Sequence, residues 1–69
     1  MLTSGYWRPY TKKEYNYYED GLIIAYVGKD FDNWVWECYF GKRRHGTARN
    51  KVDAQLRVMD LLHEHNLDD

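Results

Sequence analysis

One cysteine, Cys38, leaves this 69-residue chain without an internal disulfide and without a thiol cluster for a structural zinc, which suits a reducing compartment. No stretch of about 18 consecutive apolar residues is present to cross a bilayer. The opening Met-Leu-Thr-Ser-Gly-Tyr-Trp-Arg also lacks the basic-then-apolar pattern of a signal segment. The expectation is a cytoplasmic protein with no membrane partner. An excess of charge is missing too: ten Lys/Arg against eleven Asp/Glu leave −1 overall, which excludes a chain that attracts phosphate by its total charge. Gly28, Gly41 and Gly46 are isolated, so there is no glycine-rich phosphate loop.

Catalytic constellations are lacking as well. A chain of this size rarely encloses the several hundred Å³ that a substrate pocket needs. Cys38 falls between Trp36 and Phe40 on an alternating strand, where a small buried hydrophobe is expected rather than a nucleophile. His63 and His65 are two apart on a helix and point about 200° from each other, so they do not share an ion. The reading is a protein that is not an enzyme, with no catalytic residue, no metal and no cofactor.

What is abundant is aromatic: seven Tyr, three Trp and two Phe make 17% of the chain. Rings that each bury about 150–250 Å² let a thin core reach stability. With 43% hydrophobic and 30% charged residues the composition is that of one small folded domain, here residues 1–69. The charge is unevenly placed. Lys42, Arg43, Arg44, Arg49 and Lys51 give residues 42–51 a net +5 with no acid, residues 52–69 carry −4, and residues 1–41 carry −2. Such a block is either a solvated turn and helix start or a patch for an anionic partner.

The spacing of Val52, Leu56, Met59 and Leu62, widened by Val58, predicts a helix over residues 50–66 with Asn50 as its N-cap and Asp53 three residues on. Leu67 to Asp69 read as a frayed tail. Two strands are predicted before it. Leu22–Val27 is β-rich and apolar, and Trp34–Phe40 alternates, with Trp34, Trp36, Cys38 and Phe40 toward the core and Val35, Glu37 and Tyr39 away. Residues 28–33 form a hairpin connector, and Gly41-Lys42 reads as a two-residue turn into an edge strand from Arg43 to Ala48. That turn would put Phe40 opposite Arg43, and Arg44 beside Tyr39 and Glu37. Thr11-Lys12-Lys13-Glu14 matches a capping box, and Gly21 then ends a short helix over residues 12–19. The alternative is an extra strand through Tyr15, Tyr17 and Tyr18. The expected fold is α+β: a three-stranded antiparallel sheet packed on a C-terminal helix, with a possible short N-terminal helix and an aromatic arm over residues 1–10.

At the last strand-to-helix junction, Gly46-Thr47-Ala48-Arg49-Asn50-Lys51-Val52-Asp53-Ala54-Gln55 resembles the closing motif of double-stranded RNA-binding domains. That motif has a glycine pair, a Ser/Thr cap, two lysines, an alanine and a further lysine leading into the final helix. The resemblance implies that Lys51, with Arg49 beside it, meets phosphates across a groove. Ala48, Asn50, Val52 and Gln55 stand where the motif has its second glycine, cap, second lysine and later lysine, and residues 28–33 lack the Pro-His pair of the family. Residues 22–62 are also similar to the arm-binding domains of tyrosine integrases and to the plant ethylene-response DNA-binding domains. In both, a three-stranded sheet enters the DNA major groove.

The function expected from these residues is binding, to duplex DNA or RNA or in regulation of a nucleic-acid process. Lys42, Arg43, Arg44, Arg49 and Lys51 supply phosphate contacts, Asn50 fixes the helix start, and Tyr39 and Tyr17 add rings. The alternative is a small interaction factor or inhibitor, of viral or mobile-element type, that docks on an acidic surface of a host enzyme through its rings and basic residues. Tyr6, Trp7, Tyr10, Tyr15, Tyr17 and Tyr18 exceed what a thin core uses. They serve as base-stacking rings, as partner anchors, or as a cover for the open sheet face.

Overall fold

The computed structural model describes residues 5–67. Five strands, β1 (Tyr6–Thr11), β2 (Glu14–Glu19), β3 (Leu22–Asp30), β4 (Asn33–Cys38) and β5 (Arg44–Ala48), precede one helix, α1 (Lys51–Leu67). The strands form an antiparallel meander in the order β1-β2-β3-β4-β5. The expected α+β class, with an antiparallel sheet and a C-terminal helix, is present. The sheet has five strands rather than three, and the expected N-terminal helix is absent among the described residues. Residues 6–10, read as an arm, lie in edge strand β1; residues 1–4 of that arm and 68–69 of the tail lie outside the described residues.

The helix expected over residues 12–19 is replaced by a hairpin for a local reason. The Thr11 hydroxyl donates to Glu14 Oε1 at 2.9 Å and accepts from the Lys13 N–H at 3.2 Å, so capping-box chemistry here closes a turn over Lys12 and Lys13. At the far end of β2, Asp20 and Gly21 both have left-handed backbone, φ 53° and 80°, which is what a two-residue turn between paired Glu19 and Leu22 requires. Asp-Gly therefore joins two strands instead of ending a helix. A bulge opposite Tyr17 and Tyr18 leaves Ile24 out of the β2–β3 register, and its carbonyl accepts from the Tyr39 N–H at 2.9 Å.

Pleat alternation then sorts the side chains. Tyr17, Ala25, Val27, Trp36 and Cys38 share one face and are buried with Ala54, Val58, Leu61 and Leu62 of the helix. Trp7 tilts onto Tyr17 with ring centroids 5.1 Å apart, which extends the core to the edge strand. Trp34 in β4 and Phe40 in the segment after it pack at its margin, as the alternation over residues 34–40 predicts. Opposite Trp36, Gly46 has no side chain: a Cβ there would lie 2.6 Å from the indole, so the indole lies against bare β5 backbone.

The helix starts where expected. Asn50 Oδ1 accepts the Asp53 N–H at 2.8 Å. Its face is rotated from the expectation: Val58 and Leu62 face the sheet and Met59 packs at the margin as expected, but Ala54 and Leu61 complete the buried stripe while Val52 and Leu56 are exposed. Ala54 is the reason, since a methyl side chain allows close approach to the sheet while the larger Val52 and Leu56 turn to solvent. The helix lies across β3, β4 and β5, and no helix of the structure is long and apolar enough to cross a membrane.

The β4–β5 connection also departs from the two-residue turn read from Gly41-Lys42. β4 ends at Cys38 and β5 begins at Arg44, so residues 39–43 make the loop, with Gly41 at φ 58°. The register is Cys38 with Arg44 and Glu37 with His45. Arg44 accordingly sits on the helix side, and it is Arg43 that lies beside Tyr39 and Glu37.

Candidate nucleic-acid interface

β5 is a free edge of the sheet, and the basic segment follows it. Lys42, Arg43 and Arg44 stand at its start, Arg49, Asn50 and Lys51 at its end. Every cation of the group is exposed except Lys51, which is half-buried because its Nζ lies 4.4 Å from the Tyr15 ring centroid. Arg43 Nη2 is 4.0 Å from Glu37 Oε2 and its guanidinium carbon 5.2 Å from the Tyr39 ring, while the Tyr39 hydroxyl donates to Glu37 Oε1 at 3.3 Å. At that distance and exposure the ion pair contributes little. The segment is thus divided into two groups by the strand rather than gathered into one patch.

Asn50 is occupied in capping the helix, where its Nδ2 also donates weakly to Asp53 Oδ2 at 3.5 Å. Tyr17 is 5% exposed and belongs to the core. Of the two rings expected to add to the site, Tyr39 remains at the basic edge, and Tyr15 meets Lys51 at the helix start.

Between the β4–β5 loop and the end of the helix lies a groove of about 280 Å³ lined by Cys38, Phe40, Gly41, Lys42, Arg44, Leu61, Glu64 and His65. The Phe40 and His65 rings form one wall, centroids 5.3 Å apart. Burial pushes the Cys38 thiol up to about 11; Arg44 and Arg57 pull it down and Glu37 pushes it up, all more weakly than burial. A thiol so protonated is a poor nucleophile near neutrality. Cys38 is expected to stay unlabelled by an aromatic disulfide reagent at about pH 8 in the native protein and to react fully in denaturant. Because the folded value is raised, this contribution to stability is complete below about pH 9 and lost as pH rises toward about 11. Fast native-state labelling would place the thiol at the surface.

The sheet face away from the helix carries an array that the sequence did not disclose. Tyr6 and Tyr18 stack with centroids 5.5 Å apart and planes 9° from parallel. The Tyr26 hydroxyl donates to Glu14 Oε2 at 2.7 Å and its ring lies over Gly28. Burial, then the bond to Glu14, pushes Tyr26 up to about 12, and hydrogen bonds from Tyr26 and Thr11 hold Glu14 below its ordinary value. Burial first, then Glu37, raises Tyr39. The signal was the two-residue period of β2, which places Glu14, Asn16 and Tyr18 together once the segment is read as strand. Phe31, in the β3–β4 turn, is 90% exposed and was read only as connector.

Among the described residues no three His, Cys, Asp or Glu side chains gather as metal ligands. Comparison of the chain with protein-family models, with curated proteins and with solved structures finds no match.

Proposed function

We propose that this protein is a non-enzymatic module that binds nucleic acid along its β5 edge. The observation that carries the reading is the free edge strand with exposed cations at both ends and no acid from residue 42 to residue 51. Six residue steps from Arg43 to Arg49, at about 3.3 Å each, span about 20 Å. That is about six phosphates of one strand measured along a duplex axis. Arg43 is held by an exposed contact to Glu37 and by the Tyr39 ring, both at the surface, so little is lost when it turns to a phosphate. The resemblance of residues 46–55 to the closing motif of double-stranded RNA-binding domains supports the same end of β5 and makes duplex RNA one of the probes.

The test compares duplex DNA, duplex RNA and single strands, with the wild type and with Arg43, Arg44 and Lys51 changed to Ala. Three phosphate contacts give a log-log salt slope of about −2.7 on B-DNA, so fourfold more salt weakens the wild type about 40-fold. The triple variant is expected to lose most of that dependence. No binding to any of the probes at low salt overturns the reading.

One observation favours a second reading. The uncovered face with stacked Tyr6 and Tyr18, and with Arg43 over Tyr39, combines the residue types enriched in protein–protein hot spots. On that reading the protein is an interaction factor or inhibitor. Tyr39→Ala and Arg43→Ala then weaken capture of a protein partner together and leave nucleic-acid affinity unchanged.

A further inference from the structure

The β3–β4 turn is built at odds with local backbone preference. Asp30 pairs with Asn33, leaving Phe31 and Asp32 as the two turn residues, and Phe31 has φ 56°. Glycine, asparagine or aspartate take that conformation readily. Phenylalanine is strained there, and at 90% exposure it is left almost uncovered by the described residues. An aromatic ring held out from a tight hairpin between Asp30 and Asp32 has the form of an anchor that stacks on another ring beside cations.

This chain carries a ring-walled groove with cations at the other end of β4. The groove of about 280 Å³ has the tilted Phe40 and His65 rings as one wall, Cys38 and Leu61 buried beneath it, and a mostly polar lining that includes Lys42 and Arg44; Glu64 is the one acid that lines it among the described residues. The tip follows β3 and precedes Asn33, whereas the groove begins at Cys38, so one molecule does not fill its own groove with its own tip. We propose that the Phe31 tip of one molecule docks in the groove of a second copy, with Asp30 and Asp32 meeting Lys42 and Arg44. The contact is heterologous. Each junction leaves a free tip at one end and a free groove at the other, so assembly continues with concentration instead of stopping at a symmetric dimer. The proposal does not rest on nucleic-acid binding, although bound phosphate would compete for Lys42 and Arg44.

Two variants separate the halves of the contact. Phe31→Gly removes the ring and relieves the backbone, so its thermal midpoint is expected to rise while its groove is intact. The double variant Lys42→Glu, Arg44→Glu reverses the rim at exposed positions and keeps the tip. A single anchor in a small contact is weak, so sedimentation equilibrium is run up to about 1 mM protein. The wild type is expected to gain average mass steadily with concentration. Each variant alone stays monomeric, and an equimolar mixture of the two forms a 1:1 complex and nothing larger, because only one productive junction exists between them. A wild type that stays monomeric throughout overturns the proposal, as does a Phe31→Gly variant that associates like the wild type or a mixture that stays monomeric. If a monomeric wild type instead shows resonance shifts at Cys38, Phe40 and His65 on addition of an acetylated Asp-Phe-Asp peptide amide, self-docking is overturned and the groove takes an acidic aromatic segment of another protein.

Discussion

Trp36→Ala is expected to leave the chain largely unfolded at physiological temperature. The indole is 7% exposed at the centre of the sheet, paired across from Val27 and lying on the bare backbone of Gly46, with the Arg57 guanidinium carbon 5.8 Å from the ring centroid. Removing such a ring costs about 3–5 kcal/mol, because its transfer energy is lost and the cavity does not close. A chain of 69 residues has about 3–10 kcal/mol of total stability at about 0.05–0.15 kcal/mol per residue. Across the strand pair, Gly46 has no side chain to refill the site. Thermal unfolding followed by circular dichroism checks this, and a cooperative transition near the wild-type midpoint would show that the core does not depend on this ring.

The second large effect is a contrast along the helix. Leu61 is 4% exposed and Leu56 55% exposed, so Leu61→Ala is expected to cost about 2–5 kcal/mol and Leu56→Ala no more than about 0.5 kcal/mol. Urea midpoints of the two variants measure the difference directly. Equal losses would mean that the helix presents a different face to the sheet.

That contrast also shows where the sequence was ambiguous. Val52, Leu56, Met59 and Leu62, widened by Val58, satisfy a helical stripe as well as Ala54, Val58, Leu61 and Leu62 do, and Val58 and Leu62 belong to both. Size decides between them once the helix meets the sheet, because Ala54 permits an approach that a larger residue at that position would block. Asn50 was legible as a cap because its side chain has one nearby amide to accept from, whatever the tertiary packing. The β4 alternation was legible for the same local reason. Thr11 to Glu14 was not, since a hydroxyl bonded to a carboxylate three residues on suits either a helix start or a hairpin turn, and pairing of β2 with β3 over most of its length decided the outcome. The basic segment was visible as composition, but its division into two groups depended on where β5 starts. Tyr17 reads as a surface ring because its strand β2 and the edge strand that brings Trp7 onto it lie in the segment whose sequence suits a helix and an arm.

The meander has a kinetic consequence. Each strand hydrogen-bonds to the strand just before or after it in the chain, and the three turns at residues 12–13, 20–21 and 31–32 are two-residue connections. The loop entropy of closing each hairpin is therefore small and is recovered at once in ladder bonds and cross-strand contacts, so the sheet zips outward from β3 without waiting for a distant segment. The helix is the exception: it docks back across β3, β4 and β5 and brings the residues of greatest sequence separation into contact. Helix docking therefore closes the longest loops, and on contact order alone the step that buries Val58 and Leu61 is expected to be the slow one, so that Leu61→Ala slows folding in stopped-flow measurements.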